Sequence, residues 1–117
     1  MNYKVDNIKN YSGTKDWICG HFMPDGSILK NSDLEIKYEI LNPGTTSTPH
    51  YHSQGIEVAI VIKGKLKFLI EGKEIVLSDG DFVFMQNNVT ESLVEVYELT
   101  TIVYARTPSI LNNKVEV

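Results

Sequence analysis

The stretch IEVAIVIKGKLKFLIEGKEIVL, Ile56–Leu77, decides how this chain folds. Its first part, Ile56–Ile62, is almost wholly apolar and rich in β-branched side chains, with Glu57 as the one charge. A short run of that kind bounded by a turn signal, here Lys63-Gly64, reads as a strand covered on both faces. In the next part Leu66, Phe68 and Ile70 alternate with Lys65, Lys67 and Leu69, which is the two-residue period of a strand with one buried face. Glu71-Gly72-Lys73 then turns the chain into a third strand, EIVL. Strands joined this tightly, with no helical stretch between them, pair antiparallel.

The same grammar extends outward. In LEIKYEIL, Leu34, Ile36, Tyr38 and Ile40 alternate with Glu35, Lys37 and Glu39, predicting a half-buried strand that Pro43-Gly44 ends. Downstream, Ser78-Asp79-Gly80-Asp81 leads into FVFM, Asn87-Asn88 turns, and SLVEVYEL and TTIVYAR follow. Turns every ~8–12 residues predict an all-β fold with little helix, an antiparallel sandwich or barrel of about eight or more strands. The chain reads as one domain over 1–117: an irregular lid of short strands or loops at 1–31, a barrel at 34–106 and a peripheral tail at 107–117. Phe68, Phe82, Phe84 and Trp17 are expected in the core.

Composition narrows the function. The net charge of −4 comes without a basic cluster, which argues against nucleic acid or an anionic membrane as partner. Cys19 is the only cysteine, so no internal disulfide forms, and an inert thiol is the expectation. No window approaches the ~18 apolar residues of a membrane span, and MNYKVDNIKNYSG shows no apolar export core, so the cytoplasm is expected. The second apolar face of Ile56–Ile62 needs cover from another sheet layer or a partner subunit, which points to a homodimer.

Chemistry concentrates in TPHYHSQGIE, Thr48–Glu57. His50 and His52 share one face of a strand, since residues i and i+2 point the same way. Ser53-Gln54-Gly55 is a turn or bulge signal that resets parity, so Glu57 begins the next strand pointing inward. A carboxylate buried there needs a cation: a metal ion, a lysine or an arginine. Two imidazoles and a carboxylate, without thiolate, suit Fe, Mn, Ni, Co or Zn in the divalent state. His21, in WICGHF, reads as a surface or hydrogen-bonded core histidine, or as a third imidazole folded over the barrel mouth.

Gly44, His50, His52, Glu57 and Gly64 stand at the spacing of the first motif of the cupins, and the chain from about 34 to 106 resembles that family. The resemblance implies a small antiparallel jelly-roll β-barrel, often dimeric, with three histidines and one glutamate around a metal. WICGHF and ARTPS look similar to the ends of some single-domain cupins. The second motif departs: Gly80 and Asp81 are present, but Gln86, Asn88, Glu91 and Glu95 replace proline, glycine, histidine and asparagine. Asn88 is a tolerable exchange, because Asn accepts the left-handed conformation glycine supplies. Glu91 at the histidine position would make the metal set His50, His52, Glu57 and Glu91; alternatively Glu91 points away, or serves as a general base beside the metal. Two carboxylates would neutralise a divalent ion and favour harder metals such as Mn and Fe. The resemblance leaves three functions open: a metal-dependent oxygenase, isomerase or decarboxylase on a small organic substrate; a non-catalytic small-molecule or metal-binding or sensing module; and a metal-free sugar-modifying protein.

Overall fold

The computed structural model describes residues 2–14 and 17–117. A 3-10 helix, Ile8–Thr14, precedes ten strands among the described residues: β1 Trp17–Cys19, β2 Glu35–Leu41, β3 His50–His52, β4 Ile56–Lys63, β5 Lys65–Ile70, β6 Lys73–Ser78, β7 Phe82–Gln86, β8 Glu91–Val96, β9 Thr100–Thr107 and β10 Lys114–Glu116. They form two five-stranded antiparallel sheets, in the orders β1-β2-β9-β4-β7 and β10-β3-β8-β5-β6. One core joins them. Leu41, Ala59, Val61 and Ile102 from the first sheet pack with Leu66, Phe68, Leu77, Leu93 and Val96 from the second. The all-β, antiparallel reading of the turn spacing therefore holds, and the two sheets agree with the jelly roll that the resemblance implies. The tail does not stay peripheral: Lys114–Glu116 pairs with His50–His52 as a further strand.

The first sheet has inverted faces. On β2 the apolar residues were expected inward, yet Glu35 is buried and Lys37 and Glu39 line a barrel cavity, whereas Ile40 is 54% exposed. The register carries this outer face across the sheet. Ile36 and Tyr38 lie beside Ala105 and Val103, these beside Val58 and Ile60, and these beside Phe84 and Phe82. Phe82 and Phe84, expected in the core, are 65% and 51% exposed. Alternation separates the two faces of a strand, but it does not say which one looks inward when the interior is polar.

Two turns set the site. At Gly55, φ is +84° and an added Cβ would fall on the carbonyl oxygen of Thr107, so no larger residue fits between β3 and the end of β9. Asn88 adopts φ of 65° in the turn after β7, the left-handed conformation expected of it.

Candidate functional site

Three adjacent strands place charged residues side by side on the inner face. Arg106 on β9 is the register partner of Glu35 on β2 and of Glu57 on β4. Its Nε donates to Glu57 Oε2, and an η nitrogen donates to Glu35 Oε2 at 3.0 Å. Both carboxylates are buried, at 7% exposure for Glu35 and 3% for Glu57. Burial pushes the Glu57 carboxyl upward, with Arg106 opposing and the nearby Glu91 adding to the rise. The same carboxylates hold the guanidinium above its ordinary value against its own burial. Tyr104 and Trp17 rings flank the guanidinium, with centroids 5.6 and 5.5 Å from Cζ.

The opposite sheet supplies the imidazoles. His50 and His52 do share a face of β3, with ring centroids 5.5 Å apart and planes nearly perpendicular. His50 Nδ1 donates to the Thr48 carbonyl at 2.9 Å, which orients the ring and leaves Nε2 facing Glu91 Oε1 at 3.3 Å. The Glu91 hydrogen bond raises the His50 pKa, against the effect of burial. His52 makes no side-chain hydrogen bond among the described residues. Burial and the Arg106 charge lower its pKa to about 4, so it is a neutral base at neutral pH.

Glu57 therefore turns inward, as its position after the Ser53-Gln54-Gly55 turn suggested, and its cation is an arginine that motif reading passed over. Arg106 is the only arginine in the chain, and the expense of a buried carboxylate at Glu57 was the signal that could have found it. His21 meets Ser109. The Ser109 hydroxyl accepts the His21 backbone N–H and sits 2.8 Å from Nδ1, so WICGHF and ARTPS meet over the barrel mouth. Glu95 and Glu98 are exposed.

Whether these side chains fit a divalent ion depends on what they leave unsatisfied. Among the described residues, no three His, Cys, Asp or Glu groups stand close enough to grip an ion as they are placed. The donor chemistry nevertheless fits: Glu57 Oε1 and Glu91 Oε2 are buried without hydrogen-bond partners, beside one neutral imidazole and one with Nε2 turned inward. Oε1 of Glu57 is available without breaking the Arg106 pair. A cavity of about 140 Å³ lies beside His50 and Glu91, with Tyr104 and Arg106 also in its lining, while His52 lines a second cavity.

The sequence model of the Cupin domain family matches residues 37–92, which include His50, His52, Glu57 and Glu91. The two-sheet fold agrees with it. Residues 37–92, just under half of the chain, thus match the cupin domain. Its structure is similar to KdgF from Halomonas sp., at 21% identity over 70% of this chain and 74% of that one, with a TM-score of 0.63. It also resembles an oxalate decarboxylase from Bacillus subtilis (18% identity, TM-score 0.62) and a salicylate 1,2-dioxygenase from Pseudaminobacter salicylatoxidans (20% identity, TM-score 0.59). This chain covers 25% and 21% of those two longer chains, which cover 74% and 64% of it. None of the curated proteins matches it significantly in sequence. Arg106 lies outside the span the family model matches, as do β1 and the β10 strand that completes the second sheet. No helix among the described residues is long and apolar enough to cross a membrane.

Proposed function

We propose that this chain binds a small organic molecule in its barrel at a divalent transition-metal centre, with His50, His52, Glu57 and Glu91 as the ligands. One observation carries the reading: two buried carboxylate oxygens, Glu57 Oε1 and Glu91 Oε2, come from opposite sheets and have no partner. Each orphaned charge is costly, and a cation between them would satisfy both. When bound, the metal would supply Lewis acidity toward a substrate's oxygen atoms. The chain's own residues do the rest. The Thr48 carbonyl fixes the His50 tautomer, Arg106 holds Glu57 in place, and burial keeps the Tyr104 hydroxyl protonated as a donor facing the cavity. Glu91, if it does not ligate, is the group placed to take a proton from substrate as general base.

Elemental analysis of native protein against His50→Ala tests this. About one Fe, Mn, Ni, Co or Zn per chain, lost on substitution, is expected; equal content in both, or no stoichiometric metal under any loading, overturns it. Turnover separates an enzyme of oxygenase, isomerase or decarboxylase type from a binding or sensing module, since a module returns its ligand unchanged. A metal-free reading has one observation in its favour: Arg106 already supplies a positive charge to Glu57.

We further read the assembly as a homodimer through the outer face of β2, β9, β4 and β7. That face places no charged side chain among Ile36, Tyr38, Val58, Ile60, Phe82 and Phe84, so two copies of a chain of net charge −4 can meet there without like-charge contact.

A further inference from the structure

Apart from Arg106 and the Trp17 ring against it, WICGHF and ARTPS take no part in the centre described above, yet the fold brings them together and builds a second cavity between them. Gly20 N–H donates to Leu29 O, Ser109 N–H donates to Ser32 O, and Lys30 Nζ donates to the His21 carbonyl, so the segments 20–32 and 107–113 form a tied pair over the barrel mouth. The space beneath measures about 300 Å³. Trp17, Phe22 and Leu111 form apolar walls, and His52, Arg106 and Lys114 form the polar side. Phe22 packs on both neighbours, with ring centroids 4.3 Å from Trp17 and from His21, and is still 42% exposed. Leu111 is 77% exposed. These walls therefore have apolar surface left for a ligand to cover.

The polar side has a definite sign. Of the charged side chains that line the cavity, Arg106 and Lys114 outnumber Glu35; Arg106 is engaged by Glu35 and Glu57, which leaves Lys114 as the cation without a partner among the described residues. His52 makes no side-chain hydrogen bond among the described residues. Lys114 has neither an ion pair nor a hydrogen bond among the described residues, and it lines this cavity and the one beside His50 and Glu91. An unneutralised ammonium facing an apolar-walled space selects a negative group attached to an apolar body.

We infer that this cavity is the specificity compartment of the barrel, and that it takes a small carboxylate with an apolar body, its acid group on Lys114 and its body against Trp17, Phe22 and Leu111. This deepens the reading of the barrel as a small-molecule site by naming the ligand class, and it does not depend on the metal.

Trp17 is the chain's only tryptophan, so its fluorescence reports on the compartment directly. The probes are benzoate, its neutral amide benzamide, and acetate, which lacks the body. In protein stripped with EDTA, benzoate is expected to change Trp17 emission saturably, with benzamide and acetate at least about tenfold weaker. Lys114→Met, a change at an exposed side chain, is expected to weaken benzoate about tenfold while leaving benzamide unchanged, and Phe22→Ala to weaken both. Melting temperatures of the variants confirm that they fold. No saturable change with benzoate, benzamide binding as tightly as benzoate, or Lys114→Met binding benzoate like the parent would each overturn the inference. Because the titration uses metal-free protein, failure of the metal centre leaves its outcome untouched.

Discussion

Replacing Arg106 with methionine keeps most of the side-chain volume and removes the charge that Glu35 and Glu57 share. Both carboxylates lie within the first sheet at less than one tenth exposure, so neither reaches water easily once its partner is gone. Breaking a buried ion pair by removing one partner costs about 3–5 kcal/mol, because the remaining charge is left uncompensated. Glu35 keeps His21 nearby, with Nδ1 at 3.8 Å, so the larger part of the cost falls on Glu57. At about 2.1 cal/mol/K per residue, a chain of this length unfolds with an entropy near 0.25 kcal/mol/K, and the loss converts to a fall in Tm of roughly 12–20 °C. The deficit depends on pH in a fixed direction. Without the guanidinium, the Glu57 carboxyl in the folded state rises further above its unfolded value. The folded variant then binds more protons than the unfolded chain, and its stability climbs as pH falls. Thermal and urea unfolding of parent and Arg106→Met between neutral and mildly acidic pH would measure this. The double variant Glu57→Gln/Arg106→Met should recover roughly 1.5 kcal/mol or more, since one of the two stranded charges is gone. A loss below about 1 kcal/mol, the scale of an exposed ion pair, or a deficit that does not shrink toward acid, would refute the reasoning.

Three other outcomes follow from the same geometry. In metal-free protein, NMR of the three imidazoles should show His52 titrating near 4 and His50 above the ordinary histidine value of 6.5. As pH falls from 6.5 toward 4, His52 accordingly removes stability, because the unfolded chain takes up the proton first; His50 acts in the opposite sense, contributing stability that is lost as pH rises through its folded pKa. Phe84→Asp places a charge in the uncharged outer face and should weaken the proposed dimer at least ~30-fold by sedimentation velocity, with the Tm of the monomer as a control on folding. Asn88→Gly should leave stability within a few tenths of a kcal/mol of the parent, whereas Asn88→Ala, forced to φ of 65°, should cost about 1 kcal/mol in urea unfolding.

The strands were legible because each carries a two-residue period or an apolar run between turn residues, and these are local signals. Parity at His50 and His52, the reset at Gly55 and the left-handed Asn88 were legible for the same reason. The direction of β2 was not. Glu35, Lys37 and Glu39 look like a solvated face until the interior is known to be polar, and this depends on Arg106, which lies far along the chain. Phe82 and Phe84 were misplaced by the same assumption that apolar residues turn inward; their strand sits at an edge of the sheet whose outer surface is apolar. The pairing of His21 with Ser109 joins residues 88 positions apart, and nothing local to either one announces it. The ion pair of Glu57 was half legible. The need for a cation was plain, and its identity required the register of β4 on β9.

The central claim is that the orphaned oxygens of Glu57 and Glu91 and the imidazoles of His50 and His52 close on one cation. Anomalous diffraction from crystals loaded with Mn(II) or Co(II) tests it most directly. The expected result is a single peak inside the barrel within coordination distance of both carboxylates and both rings. A peak confined to surface carboxylates, or none at saturating metal with Glu57 still held only by Arg106, would contradict it.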